Sequence, residues 1–288
     1  MGGAFWSPDG QRLVTTNGTD NLLAWEPSSG KQSVLPLDGY VQVSSFAWSP
    51  DGSQLATSAY ASPIYIWDTA AASSRLAKKF GLGDGLHIAW SPDGRQVASA
   101  RDWQVYIWDA QTGSLVRSLT GTGKYIWDLA WSPDGRFFAF LSGCTVRGQA
   151  GYDCIASIWD AQRWSMLQTF PVSGADYYLA WLPDAKILAT AGERISLWER
   201  TSGKQLRSFG QGTLGNAEGL AWSPDGTRLV TNGGALWDAT TGSILVQVKG
   251  EDPYGVTSAA LSPDGKILAA VERTSAYTTP RTGNSCRP

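Results

Sequence analysis

The chain has 288 residues, 42% of them hydrophobic, with 15 Trp, three Cys and one His. A net charge of −2 leaves it without the basic footprint of a nucleic-acid-binding domain. No run of 18 apolar residues occurs and the N-terminus opens without an apolar signal segment, so no membrane insertion is expected and a cytoplasmic, intracellular chain is. Three Cys and one His also argue against a disulfide scaffold or a metal framework.

In chain order, Met1–Ala4 lead into a short unit, FWSPDG at Phe5–Gly10. The unit returns as AWSPDG at Ala47–Gly52, Ala89–Gly94, Ala130–Gly135 and Ala221–Gly226. Weaker copies are AWLPDA at Ala180–Ala185 and ALSPDG at Ala260–Gly265. The second position falls at Trp6, Trp48, Trp90, Trp131, Trp181, Trp222 and Leu261, with gaps of 42, 42, 41, 50, 41 and 39 residues. A fixed period of this size marks a propeller or a solenoid. Repetition from end to end leaves no room for a second domain.

The second repeat shows the plan. Val43–Trp48 alternates polar and apolar residues, as a half-buried strand does. SPDG then supplies a turn: Pro50 presets φ, Asp51 bonds its own backbone and Gly52 accepts positive φ. Gln54–Ser58 is a second strand, Ile64–Trp67 a third and Arg75–Phe80 a fourth. Short strands between turn signals predict an antiparallel meander.

The third strand ends in a second marker, Trp followed by an acid: Trp25-Glu26, Trp67-Asp68, Trp108-Asp109, Trp159-Asp160, Trp198-Glu199 and Trp237-Asp238. Six such pairs in phase with seven SPDG-type turns resemble the tryptophan–aspartate (WD) repeat β-propellers over nearly the whole chain. The resemblance implies an all-β propeller of four-stranded blades, six of them clear and a seventh degenerate. It spans residues 1–271, with 272–288 as a degenerate tail. Trp at a fixed blade position is first a packing residue. Each buried Trp contributes roughly 4–6 kcal/mol gross at about 25 cal/mol per Å², most of it offset by chain entropy.

Three departures from the family pattern stand out. No Gly-His pair precedes any first strand, and the only histidine, His87, lies inside one. The family's Trp, Ser/Thr, His and Asp network is therefore not expected in its usual form, and the blades should depend more on apolar packing. Neither end supplies an evident closing strand, which leaves an imperfectly closed ring or a piece of a longer protein as expectations. The fourth repeat carries about nine extra residues around Ser142–Asp153, a length read from its 50-residue gap. Cys144 and Cys154 flank this insertion and either face each other as a staple or remain two free thiols.

No catalytic constellation is apparent. A Ser-His-acid triad would have to use His87, and the recurring Asp residues belong to turns. GLGDG at Gly81–Gly85 lacks the Lys and helix of a phosphate loop. Neither cofactor nor metal is expected. Binding has better support. The SPDG and Trp-Asp turns share one face of the meander, the turn face; the other connections form the opposite loop face. Three Trp fall outside the repeat phase: Trp103 and Trp127 belong to the loop face, and Trp164 takes the turn position of Gly113. Tyr40, Tyr60, Tyr125, Tyr152 and Tyr177 join them on the loop face, with Arg101 and acids such as Asp84, Asp102, Asp176 and Asp252. Trp, Tyr and Arg are the residue types enriched at interface hot spots. The alternative is that these aromatics cap the end of the core. The resemblance implies a non-catalytic scaffold for a protein or peptide partner. Its rivals are the sensor portion of a larger signalling protein, such as a kinase, and a propeller hydrolase or Tol-system-type propeller.

Overall fold

In the computed structural model the described residues form seven antiparallel sheets, six of four strands and one of three, with no helix. They are 3–16, 22–35, 43–59, 62–69, 75–81, 87–122, 125–146, 152–173, 177–210, 219–250, 256, 258–271 and 276–280. At Thr16, Leu35, Ser44, 144–146, 152–153, Ser173 and 276–280 the backbone alone is described. Each sheet is one repeat, and its strands pair in sequence order.

Blade 3 shows how the repeat becomes a blade. Its strands are His87–Trp90, Gln96–Arg101, Gln104–Asp109 and Leu115–Thr120. In the first strand Ile88 and Trp90 are buried while His87 and Ala89 keep partial exposure. This is the period-2 alternation of a strand with two unlike faces. The second strand is buried on both sides from Val97 to Ala100, because neighbouring blades cover both of its faces. First strands of successive blades adjoin one another, so they ring the axis. Fourth strands form the outer rim, where Leu115, Val116, Met166, Leu167, Ile244 and Leu245 stay exposed.

Ring closure, left open by the sequence, is made by packing between blade 7 and blade 1. The Ala4 N–H donates to Ser258 Oγ at 2.9 Å, and Trp6 Nε1 donates to the Ala260 carbonyl at 3.1 Å. Ala4, Trp6 and Leu13 share an apolar cluster with Ala269 and Val271. On the other side of blade 1, Phe5 meets Phe46 of blade 2 edge-on at 4.6 Å. Blade 7 has strands Ser258–Leu261 and Ile267–Val271. A third strand, Ala276–Pro280, pairs alongside them within the segment read from sequence as a degenerate tail.

The SPDG turns are built alike. In six of them the Ser Oγ donates to the Asp two residues on, for example Ser91 to Asp93 at 2.6 Å and Ser223 to Asp225 at 2.6 Å. The same Asp accepts a backbone N–H two residues later, as from Arg95 at 3.0 Å. The Ser hydroxyl and the backbone N–H hold the Asp51, Asp225 and Asp264 carboxylates below their ordinary range, Asp225 and Asp264 to about 2. In blade 5 Leu182 replaces the Ser, and Ala185 takes φ 59 where the other turns use Gly.

The Trp network is only partly lost. In four blades the indole N–H of the third-strand Trp donates to a Ser or Thr on the second strand. The pairs are Trp67–Thr57 at 2.9 Å, Trp108–Ser99 at 3.0 Å, Trp198–Thr190 at 2.9 Å and Trp237–Thr231 at 3.3 Å. The expectation of blades held by apolar packing thus needs this polar addition: with no His joined to it, the Trp and Ser/Thr half of the network still forms. The indole nitrogens of Trp25, Trp48, Trp90, Trp131 and Trp159 are buried without a hydrogen-bond partner among the described residues. First-strand Trp181 and Trp222 instead donate across the blade boundary, to the carbonyls of Ala130 and Ala180 at 3.2 Å each.

Candidate functional site

Blade 4 departs furthest from the common plan. Its second and third strands, Phe137–Val146 and Tyr152–Asp160, carry on past the length of the other blades and form a long hairpin on the loop face. The inserted residues extend two strands rather than only a loop. Register slips by one residue between Ser142 and Thr145, so Gly143 and Cys144 stand opposite Cys154. Two residues facing one is a β-bulge, and Gly143 provides it with φ 70. Cys154 is fully buried against the cluster that includes Leu141, Val172 and Leu179, and its sulfur is disulfide-bonded.

The loop before blade 4 is anchored on both sides. Ile126 N donates to the Asp102 carbonyl and Gly121 N to the Trp103 carbonyl, each at 2.7 Å. Asp102 and Trp103 are the two turn residues between paired Arg101 and Gln104, and Asp102 adopts φ 51. Asp and Asn tolerate this region better than other residues with a Cβ. Thr122 N donates to Ser142 Oγ at 3.2 Å, and Gly143 N to the Tyr125 carbonyl at 3.3 Å. Trp103 and Tyr125 therefore sit on fixed backbone while remaining 50% and 53% exposed.

The other expected aromatics divide. Trp127 lies between Tyr125 and Tyr177, with ring centroids at 6.1 and 4.6 Å, and packs on the blade 4 and blade 5 core. Its indole N–H is buried without a partner among the described residues, so Trp127 supports the corner from beneath. Arg101 Nε lies 3.8 Å from Asp102 Oδ2. Tyr40 and Tyr60 fall outside the described residues, as do Asp84, Asp176 and Asp252; of Tyr152 only the backbone is described. Trp164 keeps the turn position and, partly buried, packs its ring against the blade 3 and blade 4 cluster, 5.5 Å from Trp131 and 6.0 Å from Phe138.

One feature of the face escaped sequence reasoning. His87 Nδ1 lies 3.8 Å from Asp128 Oδ1, on neighbouring first strands at their loop-face ends. Asp128 accepts the Leu129 N–H on one oxygen at 2.8 Å and the Leu179 N–H of blade 5 on the other at 2.9 Å. Desolvation nonetheless lifts its carboxyl to about 7, and desolvation lowers His87 to about 4. The Asp128 and His87 side chains keep 21% and 26% exposure, but the packed blades strip most of their water. A signal for the pair did exist: His87 and Asp128 both stand three residues before a marker Trp, at Trp90 and Trp131. Ser258, three before Leu261, clamps blade 7 to blade 1 from the same position. No group of three or more His, Cys, Asp or Glu able to hold a metal ion occurs among the described residues.

Three stretches, residues 31–68, 84–109 and 113–160, match the family model for the WD domain, G-beta repeat. The WD repeat-containing protein WDS homolog of Arabidopsis thaliana is 29% identical over 173 residues, covering 54% of this chain and 30% of the relative. WD repeat-containing protein slp1 of Schizosaccharomyces pombe is 26% identical over 169 residues, covering 54% and 32%. The matched part spans about a third of the length of these curated relatives. Among solved structures, Kuenenia stuttgartiensis hydrazine synthase superposes with a TM-score of 0.80 over 98% of this chain and 95% of that one. At 18% identity that likeness is one of fold. With the repeat matches and the ring of sheets together, the chain is a β-propeller whose repeats match the WD-repeat family model over those three stretches. No helix among the described residues is long and apolar enough to cross a membrane.

Proposed function

We propose that the chain is a non-catalytic scaffold that docks a protein or peptide on its loop face, at the corner of blades 3 and 4. The observation that carries this reading is the pairing of exposure with rigidity. Trp103 and Tyr125 are half exposed, yet the carbonyl of each is held by a backbone N–H, from Gly121 and Gly143, and Ile126 N ties the neighbouring Asp102 carbonyl to blade 4. Rigid aromatics offer contact area with little ordering cost, which is why they dominate interface hot spots. WD-repeat relatives and a preformed ring support the same reading. The Trp103→Ala, Tyr125→Ala double variant tests it in affinity capture followed by mass spectrometry. Loss of the captured partner with an unchanged thermal midpoint is expected. A partner retained at full yield would remove this corner from the proposal. Trp127 is left intact because its ring packs on the core, where Ala would unsettle the fold itself.

A further inference from the structure

We propose that Cys154 is bonded to Cys144 and that this disulfide is a redox latch on the Trp103 and Tyr125 corner. The chain has three cysteines, and Cys154 is disulfide-bonded. The bulge places the Cys144 backbone opposite Cys154, on a neighbouring strand of the same sheet. A cross-strand neighbour lies within the reach that a disulfide requires.

The latch and the corner are physically continuous. Gly143, next to Cys144, donates its N–H to the Tyr125 carbonyl, and Ser142 holds Thr122 of the same loop. That loop in turn binds the carbonyls of Asp102 and Trp103. On the other side, Cys154 shares its cluster with residues on which Trp127 packs. Opening the bond frees the bulge from the third strand, so the loop before blade 4 loses its fixed support. The chemistry is thiol–disulfide exchange with a low-molecular-weight disulfide. The two protein thiols give up two protons and two electrons and form one S–S bond; the small disulfide is cleaved to two thiols through a mixed disulfide. Effects on docking rest on the loop-face reading above, whereas the bond and its effect on the loop do not.

The test uses the full chain purified without reductant. Proteolytic mapping should recover one cross-linked peptide pair joining Cys144 and Cys154; a free Cys154, or one joined to Cys286, overturns the assignment. Hydrogen exchange is then compared for the oxidised chain, the reduced chain and Cys144→Ser. Exchange at Gly121, Ile126 and Gly143 is expected to quicken about tenfold or more on loss of the bond, as in a local opening. Protected amides of blade 6, such as Val230, serve as the control and should not change. Equal exchange at Gly143 in all three samples overturns the latch. Partner capture that needs Trp103 and Tyr125 but ignores reductant leaves the docking face standing and rejects redox control of it.

Discussion

Blades 3 and 4 lie side by side and meet the same packing demand with different residues. In blade 3 the Trp108 N–H donates to Ser99, and Gly113 closes the turn with φ 73. In blade 4 Phe140 stands two residues past the partner of Trp159, where the other blades with a third-strand Trp carry Ser or Thr, and its ring stacks on Trp159 at 6.2 Å. Trp164 occupies the Gly position with φ 55. A Cβ at Gly113 would lie 2.9 Å from Phe80 of the blade before, and at Gly203 2.9 Å from Phe170. At the boundary that Trp164 fills, the residue corresponding to those Phe is Leu119, which shares its apolar cluster. Large and small have traded places across the boundary. The repeat therefore constrains the volume of an interface more tightly than it constrains which blade supplies it.

The polar pair shared by these two blades offers the largest expected effect. The raised pKa of Asp128 makes the folded chain the better proton binder between its ordinary 3.8 and about 7, so its contribution to stability falls as pH rises through that window. His87 acts oppositely: its pKa falls from 6.5 to about 4, so the unfolded chain binds the proton better and stability rises with pH. The two slopes offset each other between about pH 4 and 6.5 in the native chain. His87→Gln removes one of them. The variant should lose stability steadily from pH 4 to 7 in urea titrations, by on the order of 4 kcal/mol at most. A profile parallel to that of the native chain would show that the pair does not titrate as described.

Trp164→Gly sharpens the comparison through packing. Restoring Gly relieves a left-handed residue, worth about 1–2 kcal/mol, but removes a large ring from the boundary, so a net loss of about 2–3 kcal/mol is expected. Leu119→Phe in the same background should recover about 1 kcal/mol or more, because the exchanged volumes are coupled. Additive effects in that double-mutant cycle would break the volume argument. The smallest effect separates the two marker Trp residues. Trp108→Phe leaves buried Ser99 without its donor, whereas Trp159→Phe deletes an indole N–H that has no partner among the described residues. Chemical denaturation should find the blade 3 variant less stable than the blade 4 variant by about 1–2 kcal/mol. Equal losses would mean that the Trp and Ser/Thr bond adds nothing measurable.

Much of this was legible before any coordinates. The strand limits of blade 2 agree within a residue with the sequence reading, because SPDG and the Trp-acid pairs are local turn chemistry. Placing Trp103 and Tyr125 beside blade-end connections was likewise a matter of counting along a meander. The role of Trp127 was not legible: whether an aromatic near a strand end caps the core or meets solvent depends on the neighbouring blade, here through Tyr177. Asp128 was passed over because its two donors include Leu179, 51 residues away in the next blade.

The period, the meander and the number of blades follow from the chain itself, since turn propensity and strand alternation act over a few residues and repeat identically. Ring closure through Ala4 and Ser258, 254 residues apart, was decided only when the blades met. So were the packing of Trp164 at a blade boundary, the pairing of His87 with Asp128 and the bulge opposite Cys154. Each depends on shape and desolvation at a boundary between strands or blades, and those arise from assembly rather than from local sequence.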